Sequence, residues 1–231
     1  MSLVPTTTIC PCAHPCPAAQ ANATLLSAGE VFRFERGETL WKQGDPAEWL
    51  LVVCTGTLKL ARAWPGGRDA ILDLAHRGHF AGVTAALPEG RHTSSATVLA
   101  AGKGIRVPRA KLRPILKQNP EIMAFLFELA CNHMENFVQR IEEMAHGPVE
   151  NRLARVILRI GDDVGLPDSR GLFVPVRLTR GDLAGMVGCR VETTIRVLTR
   201  WQRQGLLETR REGLVIRDRK RLISYSEQDV Q

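Results

Sequence analysis

No stretch of this sequence approaches the roughly 20 consecutive apolar residues that a membrane-spanning helix needs, so no part of it is expected to cross a bilayer. The first fifteen residues have neither the basic start nor the apolar core of a secretory signal, which points to a cytoplasmic protein. Three catalytic signatures are also missing: a Gly-rich phosphate loop ending in Lys-Ser/Thr, the His-Glu pattern of zinc proteases, and a Gly-x-Ser-x-Gly turn. Without them an enzyme or metal-storage module with an incidental basic surface has no chemistry to point to, and the chain is not expected to be an enzyme. In a reducing compartment, the six cysteines read as free thiols or ligands rather than as a disulfide framework.

What is present is an ordinary globular composition: 231 residues, 44% hydrophobic, enough for one large core or two modest ones. The net charge of +7 is unevenly spread. From Pro148 onward there are 16 Lys and Arg against 11 Asp and Glu, a balance of +5, which leaves +2 for the first 147 residues. A compact basic C-terminal segment is an electrostatic footprint for phosphate backbones, although a solvated basic surface gives the same count.

Four segments follow from the pattern. Residues 1–24 are rich in Pro, Ala and Thr with no apolar period, which predicts a tail. Residues 25–118 carry short apolar runs punctuated by glycine, as in a barrel or sandwich, with "PGG" at 65–67 as a hairpin signal. Residues 119–147 form a long helix on which Phe127, Ala130, Met134, Phe137, Ile141 and Met144 are spaced 3, 4, 3, 4, 3, the seam of a coiled coil, while Ile122, Leu126 and Leu129 make a second apolar face. Two apolar faces need two partners, and the polar residues flanking the later seam favour a second copy of the chain over a monomer core.

Residues 148–231 open with the helical "VENRLARVILRIGDD" and an extended "GLFVPVRL". In "TRGDLAGMVGCRVETTIRVLTRWQRQGLL", Thr179 is an N-cap with Asp182 at the third helical position, Leu183 and Val187 face inward, and Gly188 allows a tight turn. A second helix from about Val191 to Gln204 offers Ile195, Leu198 and Trp201 for packing, and 206–209 with 214–216 supply a two-stranded wing. This is helix–turn–helix spacing. Arg190, Glu192, Thr193 and Arg196 lie on or beside the first turns of the second helix, where base edges are approached. Glu accepts from cytosine N4 and Arg bridges guanine O6 and N7, so a Glu and an Arg at i, i+4 can read adjacent steps. An intrahelical Glu–Arg pair on a solvated surface is the bland alternative; Arg200, Arg203, Arg210 and Arg211 around the pair favour base reading.

The quoted helix–turn–helix stretch, together with "RGETLWKQGD", "TGTLKL" and "RGHFAG", resembles the Crp–Fnr superfamily of bacterial transcription regulators from about Leu25 to Arg221. The resemblance implies an α+β protein: an N-terminal β-roll (a cupin-like jelly roll) effector domain, a dimerisation helix and a C-terminal winged helix–turn–helix. It implies a homodimer on a palindromic site in double-stranded DNA, RNA polymerase as a further partner, no membrane association, base-reading roles for Glu192 and Arg196, and phosphate contacts from Thr179 and Arg180. Relatives that bind cyclic AMP carry a Gly-Glu pair for the ribose and an Arg-Ser pair for the phosphate; here stand Gly82-Val83 and "RHTSSA". Valine accepts no hydroxyl and threonine carries no guanidinium, so cyclic AMP is not the expected effector. The "ETxxR" spacing after Val191 looks closer to the fumarate–nitrate-reduction branch, with Ile195 in place of that branch's Ser, an apolar group suited to a thymine methyl.

One motif is left over. "CPCAHPCP" places Cys10, Cys12, His14 and Cys16 within seven residues. Oxygen-sensing relatives hold a four-iron, four-sulfur cluster through N-terminal cysteines and one β-roll thiolate, which here makes Cys10, Cys12, Cys16 and Cys54 the candidate metal ligands of a redox or gas sensor. Haem on a Cys-Pro thiolate, with His14, His76, His79 or His92 opposite, is the alternative; a plain tail is the third.

Overall fold

The computed structural model describes residues 23–64, 68–145 and 147–227, without the side chains of 64, 68, 139, 140 and 142–145. The chain divides into two compact units, Met1–Arg62 with Asp73–Glu135 and Ala63–Leu72 with Asn136–Gln231.

The first unit is built on one antiparallel sheet. Its strands are β1 (Glu30–Phe34), β2 (Thr39–Trp41), β3 (Trp49–Trp64), β4 (Arg68–Ala75), β5 (Phe80–Ala81) and β6 (Ser95–Pro108), ordered β1-β6-β3-β4 with β2 on β6 and β5 on β3; the end of β3 and the start of β4, residues 63–72, fall in the second unit. The long β3 and β6 pair with irregular register between Val53 and Leu58, and such bulges bend a sheet into a roll. The run "LLVVC" is continuously apolar because both faces of β3 are covered. Leu50, Val52 and Cys54 join one buried cluster, with residues of the helices; Leu51 and Val53 join another, with Phe34, Trp41 and Val98. The "PGG" turn lies outside the described residues, but the strands it would join are sheet neighbours.

Among the described residues the α-helices of this unit are α1 (Ala23–Ser27), α2 (Arg109–Gln118) and the first part of α3 (Pro120–Ala145), whose residues from Asn136 on fall in the second unit. Pro120 begins α3, where its fixed φ is already helical and its missing N–H costs nothing. Ile122 and Leu126 are buried in the same cluster as Cys54, with Phe125 and Leu129 packed against it. The other stripe is bare. Phe127 is 70% exposed, Met134 63%, Phe137 39% and Ile141 67%, and Ala130 is exposed with them. The Met144 side chain lies outside the described residues.

The second unit contains α4 (Val149–Val164), β7 (Leu166–Asp168), β8 (Gly171–Val174), α5 (Arg180–Val187), α6 (Val191–Arg203), β9 (Leu207–Arg210), β10 (Gly213–Ile216) and α7 (Arg219–Glu227). The expected two-stranded wing is the outer half of a four-stranded sheet, β7-β8-β10-β9. "GLFVPVRL" begins as a strand because Val174 can then pair with Leu214 and bury its side chain. α4 fills the centre with Leu153, Val156, Ile157 and Ile160. It also ties two elements by backbone acceptors, through Arg152 to the Val187 carbonyl (2.9 Å) and Arg155 to the Ser226 carbonyl (3.0 Å).

Candidate nucleic-acid interface

The site begins with a cap. The Thr179 hydroxyl accepts from the Asp182 N–H (3.0 Å), and the Asp182 carboxylate accepts from the Thr179 N–H (2.9 Å) and hydroxyl (2.7 Å). This reciprocal capping box fixes where α5 starts. Gly188 ends α5 at φ 66°, a left-handed conformation that side chains disfavour. Arg190 then stands in extended conformation as the N-cap of α6 and accepts the first N–H bonds of the helix through its carbonyl, from Thr193 and Thr194.

Burial orients α6. Thr194, Val197, Leu198 and Trp201 face the core, whereas Val191, Glu192, Ile195, Arg196, Arg200 and Arg203 are exposed. Ile195, expected among the packing residues, is instead 46% exposed, and Thr194 takes the inward position. Thr194 shares the face that buries Val197, Leu198 and Trp201, and Cys189 Sγ, 3.1 Å from Thr194 Oγ1, satisfies the buried hydroxyl.

The basic residues divide into two groups. Arg200 is tied to Glu150 at the start of α4, and that hydrogen bond raises its pKa above the ordinary arginine value. Arg210 is held by Asp168 (2.8 and 3.0 Å) and Glu208 (3.2 Å), with its guanidinium 5.5 Å from the Phe173 ring centre. Glu208 also accepts from Arg170. By contrast, Glu192, Arg196, Arg190 and Arg203 make no side-chain hydrogen bond or ion pair among the described residues; Arg211, 92% exposed, meets only its neighbour Glu212 at 3.6 Å.

Arg180, on the first turn of α5, borders a recess of about 300 Å³ with Arg177, Thr179, Thr209 and Arg211. Its Nη2 donates to Thr209 Oγ1 (3.3 Å), which also accepts from the Gln202 side-chain amide. Partial burial lowers the Arg180 pKa from the ordinary arginine value. Thr209, Gln202, Glu150 and the Asp168–Glu208 pair were not foreseen from the sequence, because Arg180, Arg200 and Arg170 reach them from 29, 50 and 38 positions away or, for Gln202 with Thr209, across a turn, and no local period marks them.

This arrangement offers two open side chains with base-reading chemistry on an exposed helix, beside a cationic recess suited to phosphate. Two family models match the chain: a Crp-like helix-turn-helix domain over residues 151–225 and a cyclic nucleotide-binding domain over residues 31–119. The chain belongs to the Crp–Fnr superfamily. It is 25% identical over 202 residues to a CRP-like cAMP-activated global transcriptional regulator of Mycobacterium tuberculosis, covering 87% of this chain and 90% of that protein. To a global nitrogen regulator of Synechococcus elongatus it is 25% identical over 171 residues, 73% of this chain and 77% of that one. Its fold is similar to that of FixK2 from Bradyrhizobium japonicum, with a TM-score of 0.73 at 19% identity over 87% of this chain and 99% of that chain. The protein is thus a DNA-binding transcription regulator of the Crp family. No described helix is long and apolar enough to cross a membrane.

His92 is only 4% exposed and stacks on Trp41 with ring centres 4.3 Å apart and planes 14° from parallel. Burial pushes the His92 pKa down, and the Asp45 carboxylate opposes that shift. Arg91 donates to the Gly44 carbonyl (2.8 Å), and Thr93 points no charge into the fold. His76 and His79 place their rings 3.7 Å apart at the turn before β5.

Of the candidate metal ligands, Cys10, Cys12 and Cys16 lie outside the described residues, as does His14. Cys54 is fully buried among Leu50, Val52 and Phe80, its sulfur 4.0 Å from the Val52 carbonyl. A thiolate there would be desolvated and would face a carbonyl oxygen, so this position does not suit a cluster ligand. Among the described residues, no group of three or more His, Cys, Asp or Glu is placed to hold a metal ion.

Proposed function

We propose that the protein acts as a homodimer on a palindromic DNA site, reading each half-site with Glu192 and Arg196 and positioning itself on phosphates through Thr179, Arg180 and Arg190. The observation that carries this reading is the open pair Glu192 and Arg196 on the exposed face of α6, beside the Arg180 recess. Thr193 and Ile195 lie on the same first turns; Arg200 contributes through its hold on Glu150. The bare stripe on α3, from Phe127 to Ile141, supports pairing of two copies along that helix. RNA polymerase is the partner through which such a regulator would act. The test is binding to a selected and a random duplex: Glu192→Ala and Arg196→Ala should lower the preference for the selected site, each by about 1–3 kcal/mol. Arg180→Ala should weaken both duplexes alike. Equal losses on both duplexes for Arg196→Ala would overturn base reading by that residue.

For the signal, we infer a redox or gas input rather than cyclic AMP. Val83 and Thr93 stand where the cyclic-AMP-binding relatives use a carboxylate and a guanidinium, while Arg91 is committed to Gly44 and His92 to Trp41. The three thiols Cys10, Cys12 and Cys16 beside His14 support a thiol-based sensor. An iron–sulfur cluster and haem are separated by anaerobic purification with an absorption spectrum and iron and sulfide analysis. Unchanged DNA binding in both redox states after all three cysteines are changed to Ser would exclude this input.

A further inference from the structure

One face of α2 goes against helix formation in two ways. Arg109, Arg113 and Lys117 stand at i, i+4 and i+8, and like charges at that spacing destabilise a helix. Pro114, inside the same helix, has no N–H, so the Ala110 carbonyl loses its usual donor four residues on. The helix is held by its other face, where Leu112 and Leu116 are buried with Ile122 and Leu126 of α3. Both irregularities fall on the lining of one recess. It has a volume of about 630 Å³ and is lined by Arg109, Ala110, Arg113, Pro114 and Lys117 together with Glu48. The Arg109 N–H donates to the Glu48 carbonyl (2.7 Å), which fixes that residue beside the start of the helix. Arg109, Arg113 and Lys117 nevertheless make no side-chain hydrogen bond or ion pair among the described residues.

We propose that this recess binds a nucleoside di- or triphosphate. Its volume lies within the range of about 300–1,000 Å³ usual for small-molecule pockets, and a concave site of this size suits a small molecule better than an acidic protein segment. The three cations span a helix rise of about 12 Å, a row matched to a chain of phosphates rather than to one. Guanidinium forks grip phosphate in pairs of bonds and the lysine ammonium acts as a point charge; a phosphate chain also cancels the repulsion along the row. The Ala110 methyl and the Pro114 ring offer a base an apolar surface, and the freed Ala110 carbonyl accepts from an exocyclic amine. Glu48 accepts from ribose hydroxyls, whereas a bare polyphosphate would leave it facing like charge. None of Gly82, Val83 and Thr93, the positions of the family's cyclic-nucleotide contacts, lines this recess.

The test is calorimetric titration of the purified full-length protein, in EDTA, with ATP, GTP and CTP, their monophosphates, and inorganic triphosphate. At least one nucleoside triphosphate should bind, and its monophosphate and inorganic triphosphate should each bind about tenfold or more weakly. Arg113→Ala and Lys117→Ala should each raise the Kd for that nucleotide about tenfold. Lys111→Ala, on the same helix but outside the recess, should leave it within about threefold. Arg180→Ala is the second control, because the recess beside Arg180 also suits phosphate. A loss with Arg180→Ala and none with Arg113→Ala would put the nucleotide on the DNA-binding surface and overturn the proposal. Equal affinity for inorganic triphosphate and every nucleotide would overturn it too, as would tighter, Arg113-dependent binding of a glutamate-rich peptide, which would assign the face to a protein partner. Absence of binding by all three triphosphates at millimolar concentration would end it.

Discussion

Changing Ile141 to Asp should break the proposed dimer while leaving each subunit folded. Ile141 is 67% exposed on the chain as described, so the substitution removes little packing within a subunit. In a two-fold seam the same side chain is covered on both copies. Fully burying an isoleucine contributes about 1.5–3 kcal/mol; two-thirds of that, counted twice, gives about 2–4 kcal/mol. At about 1.4 kcal/mol per decade, the dimer Kd should rise roughly 30- to 1000-fold. Two facing carboxylates add repulsion in the same direction. Sedimentation velocity over a concentration series reads the change directly, with circular dichroism confirming unchanged helix content. Asn132→Asp, which adds the same charge at an exposed position on α3 away from the seam, serves as the control and should leave Kd within about threefold. A wild type that sediments as a monomer at micromolar concentration would refute the reasoning, as would equal dimer stability for Ile141→Asp and the control.

Two further expectations concern the winged unit. Thr209→Val removes the oxygen shared by Arg180 and Gln202; affinity for selected and random duplexes should fall together by about 3- to 10-fold, with Thr209→Ser restoring it, and a loss confined to the selected duplex would contradict the positioning role. Asp168 and Glu208 both have folded pKa values below their usual range because of hydrogen bonds from arginine, chiefly Arg210 for Asp168 and Arg170 for Glu208. Their contribution is therefore complete above the unfolded carboxylate range near pH 4 and is lost as pH falls through the lower folded values. Urea midpoints of the full-length protein should drop below pH 4 more steeply for the wild type than for Asp168→Asn, and parallel curves would count against the network.

The elements were legible where the chemistry is local. The cap at Thr179, the left-handed Gly188 and the two faces of α3 each depend on residues within one or two turns, and each appears as the sequence implied. The rotation of α6 was only half legible: the sequence left Ile195 between packing and the DNA-facing side, and the burial of the polar Thr194, whose hydroxyl meets Cys189 across the turn, was not foreseen. The four-stranded sheet was also hidden: its decisive pairing joins Val174 to Leu214 across 40 positions. Within the site, open and committed arginines look identical in sequence. Arg196 and Arg200 are one turn apart on one helix, yet only Arg200 meets a carboxylate, on the distant Glu150.

That commitment has a consequence for ionic strength. The basic C-terminal segment holds 16 Lys and Arg, but Arg152 and Arg155 bind backbone carbonyls, while Arg170, Arg200, Arg210 and Arg219 are paired with carboxylates. Cations paired with carboxylates displace few counterions when DNA arrives, and those held on backbone carbonyls are turned away from phosphate. The dependence of log K on log salt, about −0.9 per phosphate neutralised, should therefore follow Arg177, Arg180, Arg190, Arg196 and Arg203 rather than the total count. A regulator wired in this way spends part of its basic charge as internal rivets, and its grip on DNA is tuned by a handful of side chains that the fold leaves open.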